Sequence, residues 1–299
     1  MRRGRCSARR RVYVWSVSEL ANRSFFQALS VLLYNPHVSQ LFTGHIWRGQ
    51  SKSLCVPGLN CYSCPAAAGA CPVGALQSFL SGISPRFPAY VIGSLLTFGL
   101  LFGRMICGWG CPFGFLQDML YRLPGPKLKK SPWTVRLSKL KYLWAVLFVL
   151  VLPLGFYFVT GVGIPAFCTY LCPAGTLEGA VPLLSVHPML RSAAGGLTVW
   201  KFAVLGIFLV LMVFVSRPFC RWLCPLGAFY GCLNRHAMFG IAVDKRTCIR
   251  CGKCAETCGM DTKIAGDREC ISCGKCISRC PMQSIHFRSL SEIDPKIQI

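Results

Sequence analysis

The sequence predicts an α-helical membrane protein with a small α+β domain at its C-terminus. Three observations carry this. Apolar residues make up 53% of the 299 and charged residues only 14%, the balance of a chain that meets lipid. Four apolar segments alternate with four copies of a Cys-Pro-x-Gly pattern, at Cys71, Cys111, Cys172 and Cys224. A dense group of further cysteines follows between Cys248 and Cys280.

In chain order, residues 1–23 read as a basic cytoplasmic tail, with Arg2, Arg3, Arg5, Arg9, Arg10 and Arg11 and no compact apolar run closed by a cleavage site. Residues 24–236 read as a four-span membrane domain. The first span, 24–47, carries no Lys, Arg, Asp or Glu but is interrupted by Asn35-Pro36-His37. The others are 88–103, 143–160 with Pro153 as a tolerated kink, and 199–215 with Lys201 placed to snorkel. Crossing takes roughly 17–25 residues, a length that the second and fourth reach with flanking residues. A domain over 240–288 and a tail over 289–299 complete the chain.

The loop charges set the orientation. The loop after the second span is dense in Lys and Arg (Arg104, Arg122, Lys127, Lys129, Lys130, Arg136, Lys139, Lys141), whereas the loop after the third has Arg191 and little else. Rich and poor loops alternate, so both termini are expected in the cytoplasm of a bacterial or archaeal cell, with the chain crossing the cytoplasmic membrane several times. The order is span, outer motif, span, inner motif, and then the same again. This is a tandem repeat of two halves related by an axis along the membrane normal. The net charge of +23 fits basic loops beside a membrane, and nucleic acid is not an expected partner.

Proline after cysteine suits the first turn of a helix and puts the cysteine at the N-cap, where free N–H groups and the helix dipole face whatever the thiolate binds. On the inner side Cys107, Cys111, Cys220 and Cys224 supply four thiolates, the number a [4Fe–4S] cluster takes. Zinc also takes four, usually in tighter Cys-x-x-Cys pairs. On the outer side Cys168, Cys172 and Cys71 supply three. The fourth is expected to be Cys64, which also precedes a proline, with Cys61 as its rival. Cys55 and the cysteine left over are expected to be free or paired in a disulfide. His37 and His45 fall on the first span, and Asp118 and Glu178 read as residues of solvated helix faces.

The C-terminal run is the most specific signal. Cys248-x-x-Cys251-x-x-Cys254-x-x-x-Cys258 is followed by Cys270-x-x-Cys273-x-x-Cys276-x-x-x-Cys280-Pro281, the bacterial two-cluster ferredoxin spacing, in which the fourth cysteine of each run serves the other cluster. Cys248, Cys251, Cys254 and Cys280 therefore form one ligand set, and Cys270, Cys273, Cys276 and Cys258 the other. The domain is expected to be ferredoxin-like α+β. Gly259 stands where a proline would follow Cys258.

On these motifs residues 20–287 resemble the NapH-type membrane polyferredoxins, and the membrane-plus-ferredoxin portion is similar to that of NosR and of the CcoG/FixG proteins. The resemblance implies two ferredoxin clusters in a cytoplasmic domain and electron transfer linked to the quinone pool, as in a quinol dehydrogenase subunit. The outer set departs from the simplest two-motif NapH pattern. The expected function is passage of single electrons through [4Fe–4S] clusters, two in the ferredoxin domain, one inner and one outer. The expected partners are a cytoplasmic donor or quinone and a membrane or extracytoplasmic acceptor such as a flavoprotein or reductase. The alternative is a redox-sensing regulator or a metalloenzyme assembly factor, including reduction of metal ions. Clusters at the two faces of a hydrocarbon core about 30 Å thick would leave a long gap, unless the motifs sit deeper than the span ends or a quinone or partner cofactor bridges it.

Overall fold

The first helix, Val17–Tyr34, ends where Asn35-Pro36 takes the backbone out of the helical region. This computed structural model describes residues 17–81, 88–128 and 131–288; Cys6 and the tails before 17 and after 288 lie outside them. The expected first span, 24–47, is thereby corrected. The helix begins earlier and stops at Tyr34, after which the chain folds back, with the His37 N–H donating to the Ala66 carbonyl (3.3 Å) and the Trp47 N–H to that of Pro65 (3.3 Å). Arg23, assigned to the tail, lies within the helix. His37 and His45 lie beyond it, and His37 stacks on Trp47 with ring centroids 4.3 Å apart.

The helix Ala89–Phe102 is apolar but has 14 residues. The next runs as Pro132–Ala145, a π-helical stretch Val146–Val151 and Leu152–Thr160. The π stretch abuts Pro153, which has no N–H to continue the regular ladder. Gly196–Phe214 is the last long helix. Two helices, Trp133–Thr160 and Gly196–Phe214, are long and apolar enough to cross a membrane. They leave Val151, Phe158, Val159, Val199, Ile207 and Val210 exposed, where a water-facing surface would carry polar groups.

Short helices capped by the repeated cysteines fill the space between the long ones. Cys71, Cys107, Cys111, Cys172, Cys220 and Cys224 all belong to one buried cluster with Leu59, Phe113, Phe219, Tyr230 and Ile271. Residues 55–70 have little regular structure and pack into this interior. Such backbone is tolerable at depth where protein supplies its hydrogen-bond partners: Asn60, fully buried, donates from its side chain to the carbonyls of Gly69 and Tyr34 and accepts from Asn35.

The C-terminal domain has two antiparallel strands, β1 (Ile241–Val243) and β2 (Ile285–Phe287), in register Ile241↔Phe287 and Val243↔Ile285, and one short helix, Lys253–Thr257. Ile241, Ile285, Cys270 and Cys276 form its core, against which Cys254 and Cys280 pack. Buried ion pairs fix the domain to the helices. Arg221 binds Asp261 through two bonds of 2.5 and 2.7 Å, while Arg104, Lys141 and Tyr142 all converge on Glu269. Asn234 donates to the carbonyls of Asp267 (2.8 Å) and Cys270 (3.1 Å).

Candidate metal centres

All four Cys-Pro-x-Gly copies build the same local structure. Cys71, Cys111, Cys172 and Cys224 are N-caps in extended conformation, each with its proline at the start of a helix. The glycine three residues on turns its N–H to the cysteine sulfur at 3.3 Å for Gly175 on Cys172 and for Gly227 on Cys224, while the Gly74 and Gly114 amides lie beside Cys71 and Cys111. The proline leaves no first-turn N–H to satisfy, and the next free amides point at the thiolate.

The same glycines lie against the sulfurs. A Cβ on Gly175 would lie 3.6 Å from the Cys61 sulfur and 3.7 Å from that of Cys172; one on Gly74 would lie 3.8 Å from the Cys168 sulfur. On Gly114 and Gly227 a Cβ would press on the guanidinium groups of Arg217 and Arg104 respectively, each at 3.4 Å.

The cysteines gather into two sets inside the helical domain. In the near set, on the side of the C-terminal domain, Cys107, Cys111, Cys220 and Cys224 lie within electrostatic reach of one another. In the far set Cys172 is within reach of Cys168, Cys61 and Cys71. The expected fourth member, Cys64, is displaced. Its thiol donates to the Asn35 side-chain amide oxygen at 3.6 Å, and it packs in a small cluster with Ala66 and Ala67, against which Cys61 also lies. Cys61 takes its place beside Cys172. Cys55, Cys61 and Cys64 are free thiols, as are the other described cysteines, so no disulfide ties the loop.

The two sets are much closer than motifs at opposite faces would be. The Leu59 amide lies beside the Cys111 sulfur of the near set, and the next amide, of Asn60, beside the Cys71 sulfur of the far set; a Cβ on Gly58 would meet the Pro112 ring at 3.2 Å. Consecutive residues are 3.8 Å apart, so these two sulfurs are separated by on the order of 12 Å, counting one such step and roughly 4 Å from each amide to its sulfur. Tyr230, fully buried with its hydroxyl donating to the Pro57 carbonyl (3.0 Å), senses Cys107, Cys71 and Cys111 together.

Two residue classes not singled out in the sequence complete the near set. Arg104 and Arg217 stand three residues before Cys107 and Cys220. Each donates to the carbonyl of the cysteine that follows the other: Arg104 to Cys220 (3.2 Å) and Arg217 to Cys107. Asp118, expected on a solvated face, instead grips Arg217 (2.6 and 2.8 Å) and Arg23 (2.5 Å). Although burial opposes it, Arg217 and Arg23 hold the Asp118 carboxyl well below the usual carboxylate range. Burial likewise opposes ionisation of Glu269, and Arg104 and Lys141 overcome it.

The residue six after the capping cysteine also reaches a cysteine far away in sequence. Gln117 donates to the Cys220 sulfur at 3.0 Å. Gln77 accepts from the Cys168 N–H (3.2 Å) and donates to the Phe148 carbonyl (2.7 Å). Glu178, expected on a solvated face, accepts from the Cys61 N–H at 2.6 Å. These positions could have been found by aligning the repeat beyond its cysteines.

In the C-terminal domain Cys276 lies within reach of Cys270, Cys273 and Cys258, which brings the fourth cysteine of the first run into the second set as its spacing predicts. Burial pushes the Cys270 thiol up to about 11 against hydrogen bonds from the Ser272 and Gly266 backbones, so metal must displace a proton there. Cys254 and Cys280 meet at the small core, while Cys251 is exposed. This domain touches the near set directly. Trp109 donates to the Ser272 carbonyl at 2.9 Å, and a Cβ on Gly108 would collide with the Ile271 carbonyl at 2.2 Å, so glycine between Cys107 and Cys111 permits the contact. Among the described residues no group of three or more His, Cys, Asp or Glu is gathered for a single metal ion. Four-thiolate sets with sulfur-directed amides fit a [4Fe–4S] cluster.

Comparison with known proteins agrees. The 4Fe-4S binding domain family matches residues 69–90, 85–131, 142–184 and 197–245, a region that holds the repeated motifs and stops short of Cys248. An uncharacterized protein of Methanocaldococcus jannaschii, MJ0750, is 32% identical over 200 residues, 65% of this chain and 74% of its own length. The methylamine utilization ferredoxin-type protein MauN of Methylorubrum extorquens is 28% identical over 193 residues, 62% of this chain and 59% of its own. The regulatory protein NosR of Pseudomonas aeruginosa is 29% identical over 163 residues, 53% of this chain but 21% of its own length. No solved structure matches the chain. The chain belongs to the 4Fe-4S binding domain family and is an iron–sulfur protein.

Proposed function

We propose that this chain is a membrane-bound polyferredoxin that conducts single electrons along a line of four ligand sets. The order is Cys248, Cys251, Cys254 and Cys280; then Cys258, Cys270, Cys273 and Cys276; then the near set; then the far set of Cys61, Cys71, Cys168 and Cys172. A [4Fe–4S] cluster, when bound, supplies a one-electron couple at each. The observation that carries the reading is the stretch 58–61, which packs Gly58 against Gly110 and Pro112 beside the near set and Cys61 against Gly175 in the far set. The Ile271–Gly108 contact likewise joins the C-terminal domain to the near set. Protein amides hold the near and far sets, buried Arg104 and Arg217 flank the near one, and the packed interior keeps water away.

The helices Val17–Tyr34 and Ala89–Phe102 join the two longer apolar ones to give four spans in two tandem halves over 24–236, with the domain at 240–288 and both termini in the cytoplasm. The ferredoxin-type relative MauN supports electron transfer as the work of the chain. Electrons would pass between a cytoplasmic donor or the quinone pool and an acceptor reached from the far set. NosR is named a regulatory protein, which supports the second reading, that the clusters report redox state.

Anaerobic purification with iron counting and EPR tests this. The wild type should hold about 16 iron atoms, four per set. Cys107→Ser and Cys61→Ser should each lose about four, one set's complement. Eight iron atoms in all three proteins would contradict binding in the helical domain.

A further inference from the structure

The two halves of the C-terminal domain face different surroundings. Its contacts with the helices come from Asp261, Asp267, Glu269, Ile271 and Ser272. These residues flank or lie within the Cys258/Cys270/Cys273/Cys276 set. The loop of the other set carries exposed Ile249, Arg250, Cys251 and Lys253. Arg250 and Gly252 adopt left-handed backbone (φ 54° and 77°), which folds the loop round its cysteines and leaves these side chains outward. Cys280 shares the small core with Cys254, which places exposed Arg279 and Met282 beside the same loop.

We propose that this face docks a small acidic one-electron carrier protein, a partner for the entry set named above; the proposal rests on that reading. Charge complementarity selects the occupant. Arg246, Arg250, Lys253, Lys263, Lys275 and Arg279 are exposed in the domain, against the exposed carboxylates Asp244 and Glu256 among the described residues. Ile249 and Met282, 62% and 47% exposed, supply an apolar contact within the basic surround, the anatomy of a transient interface. A cationic rim of this kind speeds encounter with an anionic partner and orients it. One electron passes from the reduced carrier to the oxidised set; no bond forms and no proton is required. A membrane-facing role for the same residues would call for them beside the helices, where the domain instead presents the Ile271 side.

The test uses the full chain in zwitterionic lipid nanodiscs and a purified acidic [2Fe–2S] ferredoxin as probe. Affinity is read by biolayer interferometry and electron entry by stopped-flow absorbance. Wild-type affinity should fall at least tenfold from low to high ionic strength. Arg250→Glu and Lys253→Glu should each weaken binding at least fivefold and slow electron entry in step, while iron content and reduction by dithionite stay unchanged. Unchanged affinity in both variants overturns the proposal. So does a result in which the reversals weaken association with anionic vesicles but not with the ferredoxin, since the patch then serves lipid headgroups. If instead the wild-type domain holds no dithionite-reducible iron, the ligand-set reading itself fails.

Discussion

Around the near set, Arg104, Arg217 and Lys141 lie within electrostatic reach of Cys107, and Gln117 places an amide proton on the Cys220 sulfur. Around the far set the charges are mixed. Lys201 and Lys52 face Cys61, but so does the buried carboxylate of Glu178, and Gln77 bonds backbone in place of sulfur. One repeated scaffold, with a capping cysteine, a proline and a glycine amide, is thus set in two electrostatic environments. Cations and N–H···S bonds favour the more negative, reduced cluster. The near set is therefore expected to be the more easily reduced, and the contrast gives the relay a direction-dependent step.

The largest way to break the comparison is through the carboxylates. Asp118→Asn strands Arg217 and Arg23 in the interior and should destabilise the fold by ~3–5 kcal/mol, the cost of leaving a buried charge unpaired. Glu178→Gln keeps an acceptor for the Cys61 N–H and strands no cation, so its cost should stay near or below ~1 kcal/mol. Thermal unfolding in detergent measures both, and equal losses would contradict the contrast.

A smaller effect separates the two glutamines. Gln117→Leu removes the bond to the Cys220 sulfur and should lower the near potential, whereas Gln77→Leu should change the far potential less; redox-titrated EPR reads both. A larger shift from Gln77→Leu would count against the assignment. The smallest effect concerns the displaced thiol. Cys64→Ser should retain all the iron of the wild type, and loss of about four iron atoms, one cluster's share, would restore Cys64 as the ligand.

Much of this was legible in the residues. The proline after each cysteine announced an N-cap, and the structure places all four there. The crossed ferredoxin spacing announced that Cys258 joins Cys270, Cys273 and Cys276. What sequence could not supply was depth. Residues 55–70 follow neither helix nor strand period, so nothing in them said that Leu59 and Asn60 thread between two cysteine sets, or that Cys61 faces Cys172 while Cys64 turns to Asn35. The proline after Cys64 imitated the capping motif without a glycine at the third position, where Ala67 stands. Asp118 and Glu178 misled for a related reason: a lone carboxylate in an apolar helix reads as solvated until its arginine or amide partner, a hundred residues away in sequence, is known.

The most direct measurement of the central claim is the magnetic coupling between the near and far clusters in the fully reduced protein, compared with Cys107→Ser and Cys61→Ser. With sulfurs of the two sets on the order of 12 Å apart, the expected EPR spectrum is split or broadened by spin–spin interaction and simplifies when either set is removed. Spectra that add as independent, uncoupled signals, with no change in the far signal when Cys107 is replaced, would contradict it.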